Sequence, residues 1–120
     1  FEVKHKNLMP VVAVADMFWT CNKKRQTSAK QYSLKQLVNV MDKNTLASKL
    51  ATCLGADKIK SEQALNFGLL ACFSEQLKVF PENVQAEKIK IVEDSFLSLS
   101  REQRQKSFTK CISEQAMDYL

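Results

Sequence analysis

Apolar residues recur at spacings of three and four along five stretches of this chain, with polar residues filling the positions between them. That period gathers side chains on one face of an α-helix, whereas a half-buried strand would alternate in twos. Val11, Val14, Phe18 and Cys21 form the first stripe, and Leu46, Leu50, Cys53 and Leu54 the second. The third, Leu65, Leu69, Cys72, Phe73, Gln76 and Phe80, lies in the most apolar stretch, where Phe67, Leu70, Ala71 and Leu77 extend it beyond a single face. A helix apolar around so much of its circumference belongs at the centre of a bundle. Ile89, Val92, Phe96 and Leu99 make the fourth stripe, and Phe108, Cys111, Ile112, Gln115 and Tyr119 the last.

Local signals punctuate these stripes. Pro10 suits the first turn of a helix over residues 11–21, where its missing N–H has no partner to lose. Ser33 and Gln36 spell a capping box for a short helix over 34–41, and Ser100 with Gln103 spells a second for the last helix. Asp42 or Asn44 is placed to cap the helix carrying Cys53, with Gly55 ending it in a left-handed conformation. Asp57 or Ser61 opens the apolar helix, in which Gly68 permits close approach of a neighbour. Pro81 ends that helix and Asn83 is placed to cap the next. Residues 23–33 are polar, basic and unpatterned and predict the longest surface loop. Two glycines and two prolines provide little of the turn chemistry a many-stranded β fold needs. The expectation is an all-α, compact bundle of about six helices in a single domain spanning 1–120.

Cysteine adds a constraint. Cys21, Cys53, Cys72 and Cys111 each share a stripe with large apolar residues, so each points into the bundle, and their wide spacing suits two disulfides between helices. Only neighbouring helices bring Cα atoms within the roughly 7 Å a disulfide spans. The favoured pairing, Cys21–Cys53 with Cys72–Cys111, closes each half of the chain on itself; Cys21–Cys72 with Cys53–Cys111 would stitch the halves together and remains open. The competing reading is a reduced domain whose thiols are small core hydrophobes. No close Cys pair suggests a structural zinc site. A chain beginning at Phe1, without an initiator methionine or apolar leader, is the expectation for a mature secreted protein whose leader has been removed. No apolar run approaches the roughly 20 residues that span a bilayer, so membrane insertion is not expected.

The net charge of +5 is uneven. Residues 1–60 hold eleven Lys and Arg against four Asp and Glu, or +7, and residues 61–120 hold seven against nine, or −2. The basic character concentrates at Lys4 and Lys6 and at Lys23, Lys24, Arg25 and Lys30, a candidate partner-binding patch for an acidic protein, an anionic surface or a glycosaminoglycan. A solvated basic face is the plainer reading of the same residues. Nucleic acid is not expected, because only Tyr32 offers an aromatic ring for stacking near these cations. His5 is the single histidine, adjacent Glu93 and Asp94 point to different sides of their helix, and neither a phosphate-binding loop nor a nucleophile elbow is present. No catalytic residue, metal or cofactor is therefore expected. Phe18, Trp19, Phe67, Phe73, Phe80, Phe96 and Phe108 fill a core or, alternatively, line a cavity for a small hydrophobic ligand.

The N-terminal stretch FEVKHKNLMPVVAVADMFWTC, the basic loop NKKRQTSAK and four widely spaced cysteines in a small helical chain resemble the anopheline mosquito salivary inhibitor family of albicin- and anophensin-like proteins. The likeness covers the whole chain in character and is anchored by no short diagnostic motif. It implies a blood-feeding protein acting without covalent chemistry on a host plasma protein complex. Albicin-like members inhibit the alternative pathway of complement at its assembled convertase, and anophensin-like members act on the kallikrein–kinin contact system. The resemblance assigns no interface residue.

Overall fold

The structure is a computed structural model and describes residues 2–120. Five α-helices, α1 (Glu2–Arg25), α2 (Lys43–Leu54), α3 (Glu62–Gln76), α4 (Glu82–Phe96) and α5 (Arg101–Met117), join a π-helical segment at Gln36–Val40. A single 3-10 turn, Leu77–Val79, extends α3, and no strand occurs among the described residues. The all-α expectation holds, with six helices counting the π segment.

Helix α1 is longer than its apolar stripe predicts. It begins at Glu2, so Pro10 sits inside it rather than in its first turn. Proline there deprives the Lys6 carbonyl of its intrahelical donor. Both residues are exposed, so solvent can serve that carbonyl. The added turns are anchored by Leu8 and Met9 on the core and by His5, whose Nε2 donates to the Ser113 carbonyl at 2.7 Å. Helix α1 also runs on through Lys23, Lys24 and Arg25, which therefore belong to its last turn and not to the loop. Basic side chains suit that end, where unpaired carbonyls concentrate negative charge. Gln26 then ends the helix at φ +51°, its amide donating to the Asn22 carbonyl. Buried Asn22 pins the loop beyond, donating from Nδ2 to the Lys30 carbonyl and accepting from the Ser28 amide at Oδ1.

Most of the other signals appear as predicted. Ser33 and Gln36 exchange both capping hydrogen bonds, as do Ser100 and Gln103. Asp42 caps α2 and Ser61 caps α3. Gly55 has the expected positive φ, +59°, but its ψ of −119° takes it out of the left-handed helical well, into backbone that favours glycine. Asn83 does not cap α4; Pro81 holds that position, and no side chain caps it. Phe80, expected on the inner stripe of α3, is turned outward by the 3-10 turn, and Lys88 covers its ring.

Helices α1 and α3 share the longest interface and form the centre of the bundle, with α2 and α5 on their flanks. Phe18, Leu37, Leu46, Leu69 and Phe108 are the large side chains almost wholly removed from water. Val12 and Ala15 are fully buried while the predicted Val11 and Val14 are only partly so, which rotates the inner face of α1 slightly. Gly68 on α3 receives the Phe108 ring of α5, so close that an added Cβ would lie 2.8 and 2.9 Å from its Cε1 and Cε2. Helix α4 packs mainly on the end of α3, through Phe96 against Phe73 with ring centroids 6.3 Å apart, and reaches α1 through Lys24 and Glu93.

Both disulfides join neighbouring helices. Cys21–Cys53 ties α1 to α2 with Cα atoms 6.2 Å apart, and Cys72–Cys111 ties α3 to α5 at 6.3 Å. Each half of the chain is thus closed on itself. Between the halves Thr20 Oγ1 donates to the Phe67 carbonyl at 2.7 Å, and Gln115 Nε2 donates to Asp16 Oδ1 at 3.0 Å. Asp16 is fully buried, and desolvation pushes its carboxyl well above the usual range despite the Gln115 hydrogen bond. Among the described residues no helix is long and apolar enough to cross a membrane.

Candidate functional site

The six basic residues of the predicted patch do not lie together. Lys4 and Lys6 project from the first turns of α1, and seventeen positions separate Lys6 from Lys23. At roughly 1.5 Å per residue that separation is about 25 Å. Arg25 is committed to the fold: Nη1 donates to the Cys53 and Leu54 carbonyls at 3.1 and 3.0 Å, and Nη2 donates to Asp57 Oδ2 at 2.8 Å. It caps the carboxyl end of α2, where orphan carbonyls need donors. Lys30 sits over the Tyr32 ring at 5.2 Å, joined from α2 by Lys49 at 5.7 Å.

Lys23 and Lys24 face a different neighbourhood. Their last turn of α1 borders a cleft of about 380 Å³ between α1, α3 and α4, lined by Trp19, Thr20, Leu70, Ser74, Lys78, Gln85, Ile89 and Glu93 as well. Trp19 lies one turn before Lys23, whose Nζ stands 4.8 Å from the centre of its ring. Such a contact holds the ammonium over the aromatic face without neutralising it. Lys24 is 3.9 Å from Glu93, and Lys78 is 2.9 Å from Glu75; these partly exposed pairs are weak in water. Leu70 and Ile89 floor the cleft, and the Thr20 hydroxyl is already spent on the Phe67 carbonyl. The result is an apolar floor with one indole and three lysines at its rim.

A chemical reaction finds few reagents here. All four cysteines are in disulfides, so none provides a thiolate nucleophile. Among the described residues no three His, Cys, Asp or Glu groups converge closely enough to hold a metal ion. What the cleft can do is bind: an indole beside cations recognises apolar and acidic groups together, the combination on which protein interfaces concentrate their affinity.

Sequence reasoning found Lys23 and Lys24 but missed the rest of the cleft. The Trp19–Lys23 pair had a signal in its i, i+4 spacing. Lys78, Ile89 and Glu93 had none, because they reach the cleft only when α3 and α4 pack beside α1. No protein family, curated protein or solved structure matches this chain.

Proposed function

We propose that this chain is a secreted inhibitor that blocks the alternative pathway of host complement by noncovalent binding to its assembled convertase. The observation that carries a binding role is the cleft that sets Trp19 among Lys23, Lys24 and Lys78 on a cross-linked helical frame. The target is suggested by the family resemblance of the N-terminal stretch, the basic segment and the four cysteines. Two disulfides suit an oxidising, extracellular setting. A rigid frame lowers the ordering cost that binding otherwise incurs.

The test is lysis of rabbit erythrocytes through the alternative pathway, with binding to immobilised assembled convertase measured against its separate components. Replacing Lys23, Lys24 and Lys78 with alanine is expected to reduce potency and flatten its salt dependence, whereas replacing Lys4 and Lys6 leaves both nearly unchanged. Full potency in the triple variant would move the interface away from the cleft. Unchanged lysis with suppressed kallikrein generation in plasma would favour the second reading, inhibition of the contact system, for which the same cations would engage an anionic surface. A third reading, a carrier of a small hydrophobic ligand, is favoured by an apolar cleft of about 330 Å³ lined by Val14, Leu50, Leu54 and Ile59 among others. Lipid co-purifying with the protein, with both assays unaffected, would support it.

A further inference from the structure

Three ammonium groups, Lys23 and Lys24 from α1 and Lys78 from the 3-10 turn after α3, line the cleft beside Trp19 against a single lining carboxylate, Glu93 of α4. Among the described residues Glu93 pairs with Lys24 alone, at 3.9 Å, and both side chains are close to half exposed. That separation is the outer edge of an ion pair and beyond a hydrogen bond, so the contact is weak and readily exchanged. Lys23 has no carboxylate partner among the described residues, and neither the Trp19 Nε1–H nor the Ser74 hydroxyl donates a hydrogen bond there. An anionic group entering the cleft finds donors unspent at the rim, and an apolar group finds Leu70 and Ile89 on the floor.

A volume of about 380 Å³ lies at the small end for a binding pocket and takes one or two side chains, not a folded surface. Charge complementarity decides what they are. A purely apolar ligand would cover the lysines without replacing their water, which costs free energy, and a purely anionic one would leave the floor unused. Carboxylates beside one apolar side chain satisfy both. Glu93 already sets on Lys24 the kind of group such a partner must bring, and it does so from a helix that no disulfide holds and no side chain caps.

We propose that the cleft receives an acidic peptide segment of a partner, with its apolar side chain on Leu70 and Ile89 and its carboxylates on Lys23, Lys24 and Lys78, and that Glu93 is a built-in competitor which the segment displaces from Lys24. Resting on the reading of this cleft as the binding surface, this adds the chemistry of the occupant and a residue that opposes it. Glu93 lowers affinity twice over, by holding Lys24 and by repelling the incoming carboxylates. Removing its charge therefore strengthens binding, the opposite of what loss of an ordinary interface residue does.

Trp19 is the only tryptophan in the chain, so its fluorescence reports the cleft directly. The test titrates the intact, oxidised protein with the peptide acetyl-Glu-Asp-Phe-Glu-Asp amide, with a version carrying Ser for Phe, with a version carrying Gln and Asn for the acids, and with a heparin hexasaccharide, using calorimetry in parallel. Saturable binding of the first peptide is expected, about tenfold tighter than either altered peptide. Replacing Lys23 and Lys24 with alanine should weaken it about tenfold, and Glu93→Gln should tighten it about two- to fivefold, the scale of an exposed ion pair. Glu87→Gln, the same change of charge at an exposed position of α4 outside the cleft lining, should leave it unchanged. Equal binding of either altered peptide, tighter binding of heparin, no saturable binding at all, or unchanged or weaker binding in Glu93→Gln would each overturn the proposal. Loss of complement inhibition in the Lys23, Lys24 and Lys78 variant without peptide binding to the wild type would keep the cleft as the binding surface and remove this occupant. Peptide binding as expected, with inhibition intact in that variant, would keep the occupant and remove the complement reading.

Discussion

Replacing Gly68 with alanine adds one methyl group where the Phe108 ring rests on the α3 backbone. The new Cβ would stand 2.8 and 2.9 Å from two ring carbons, well inside van der Waals contact, and Phe108 is only 2% exposed. The ring cannot retreat without displacing α5, which Cys72–Cys111 holds against α3. Overpacking of this kind costs about 1–3 kcal/mol. Alanine recovers about 1 kcal/mol through its greater helix propensity. Because the ring cannot retreat, the overpacking cost lies at the upper end of its range and a net loss of about 2 kcal/mol remains, which for 120 residues corresponds to a Tm lower by about 8 °C. Thermal unfolding of the oxidised protein, followed by circular dichroism, measures it. Phe108→Leu in the same chain should remove most of the penalty of the added methyl, although it costs stability on its own, so the two changes must be non-additive. An unchanged or higher Tm for Gly68→Ala alone, or strict additivity with Phe108→Leu, would refute the close-packing account.

Three further outcomes follow from the fold. The folded Asp16 carboxyl and Tyr119 phenol both hold their protons to higher pH than the unfolded chain does, so stability falls as pH rises through each folded value. Tyr119→Phe should flatten the loss between pH 10.0 and about 12, and Asp16→Asn the loss that begins above 3.8, in urea titrations across pH. Gln26→Gly should raise stability by about 0.5–1 kcal/mol, because φ +51° costs glycine nothing; a lower urea midpoint would contradict this. Arg25→Ala should cost about 1–2 kcal/mol through lost bonds to the α2 carbonyls, whereas Lys23→Ala should lie within about 0.5 kcal/mol of wild type; equal effects would show that Arg25 is an ordinary surface cation.

The local features were legible in the chain because they depend on residues a few positions apart. The capping boxes of Ser33 and Ser100, the Asp42 and Ser61 caps and the stripes of α2, α3 and α5 each follow from backbone groups near the residue that satisfies them. The same locality explains the misses. Pro10 signalled a helix start, yet the turns before it were won by tertiary contacts of Leu8, Met9 and His5. Lys23, Lys24, Arg25 and Lys30 read as one basic segment, but α1 extends through the first three, and packing sends Arg25 to α2 and Lys24 towards α4. Burial of Asp16 had no signal in its neighbours, since its partner Gln115 is 99 positions away.

Sequence by itself determined that this protein is a helical bundle with cysteines on its inner faces, because helical period, capping and stripe position are properties of consecutive residues. Tertiary structure alone decided which half-cystines meet, that Phe108 seats on Gly68, that Lys78 joins Trp19 and Lys23 across a cleft, and that Gln115 meets Asp16 in the interior. Each of these depends on which helices are neighbours and in which direction they run. Those relations arise from burying all the stripes at once, and no single stripe contains them.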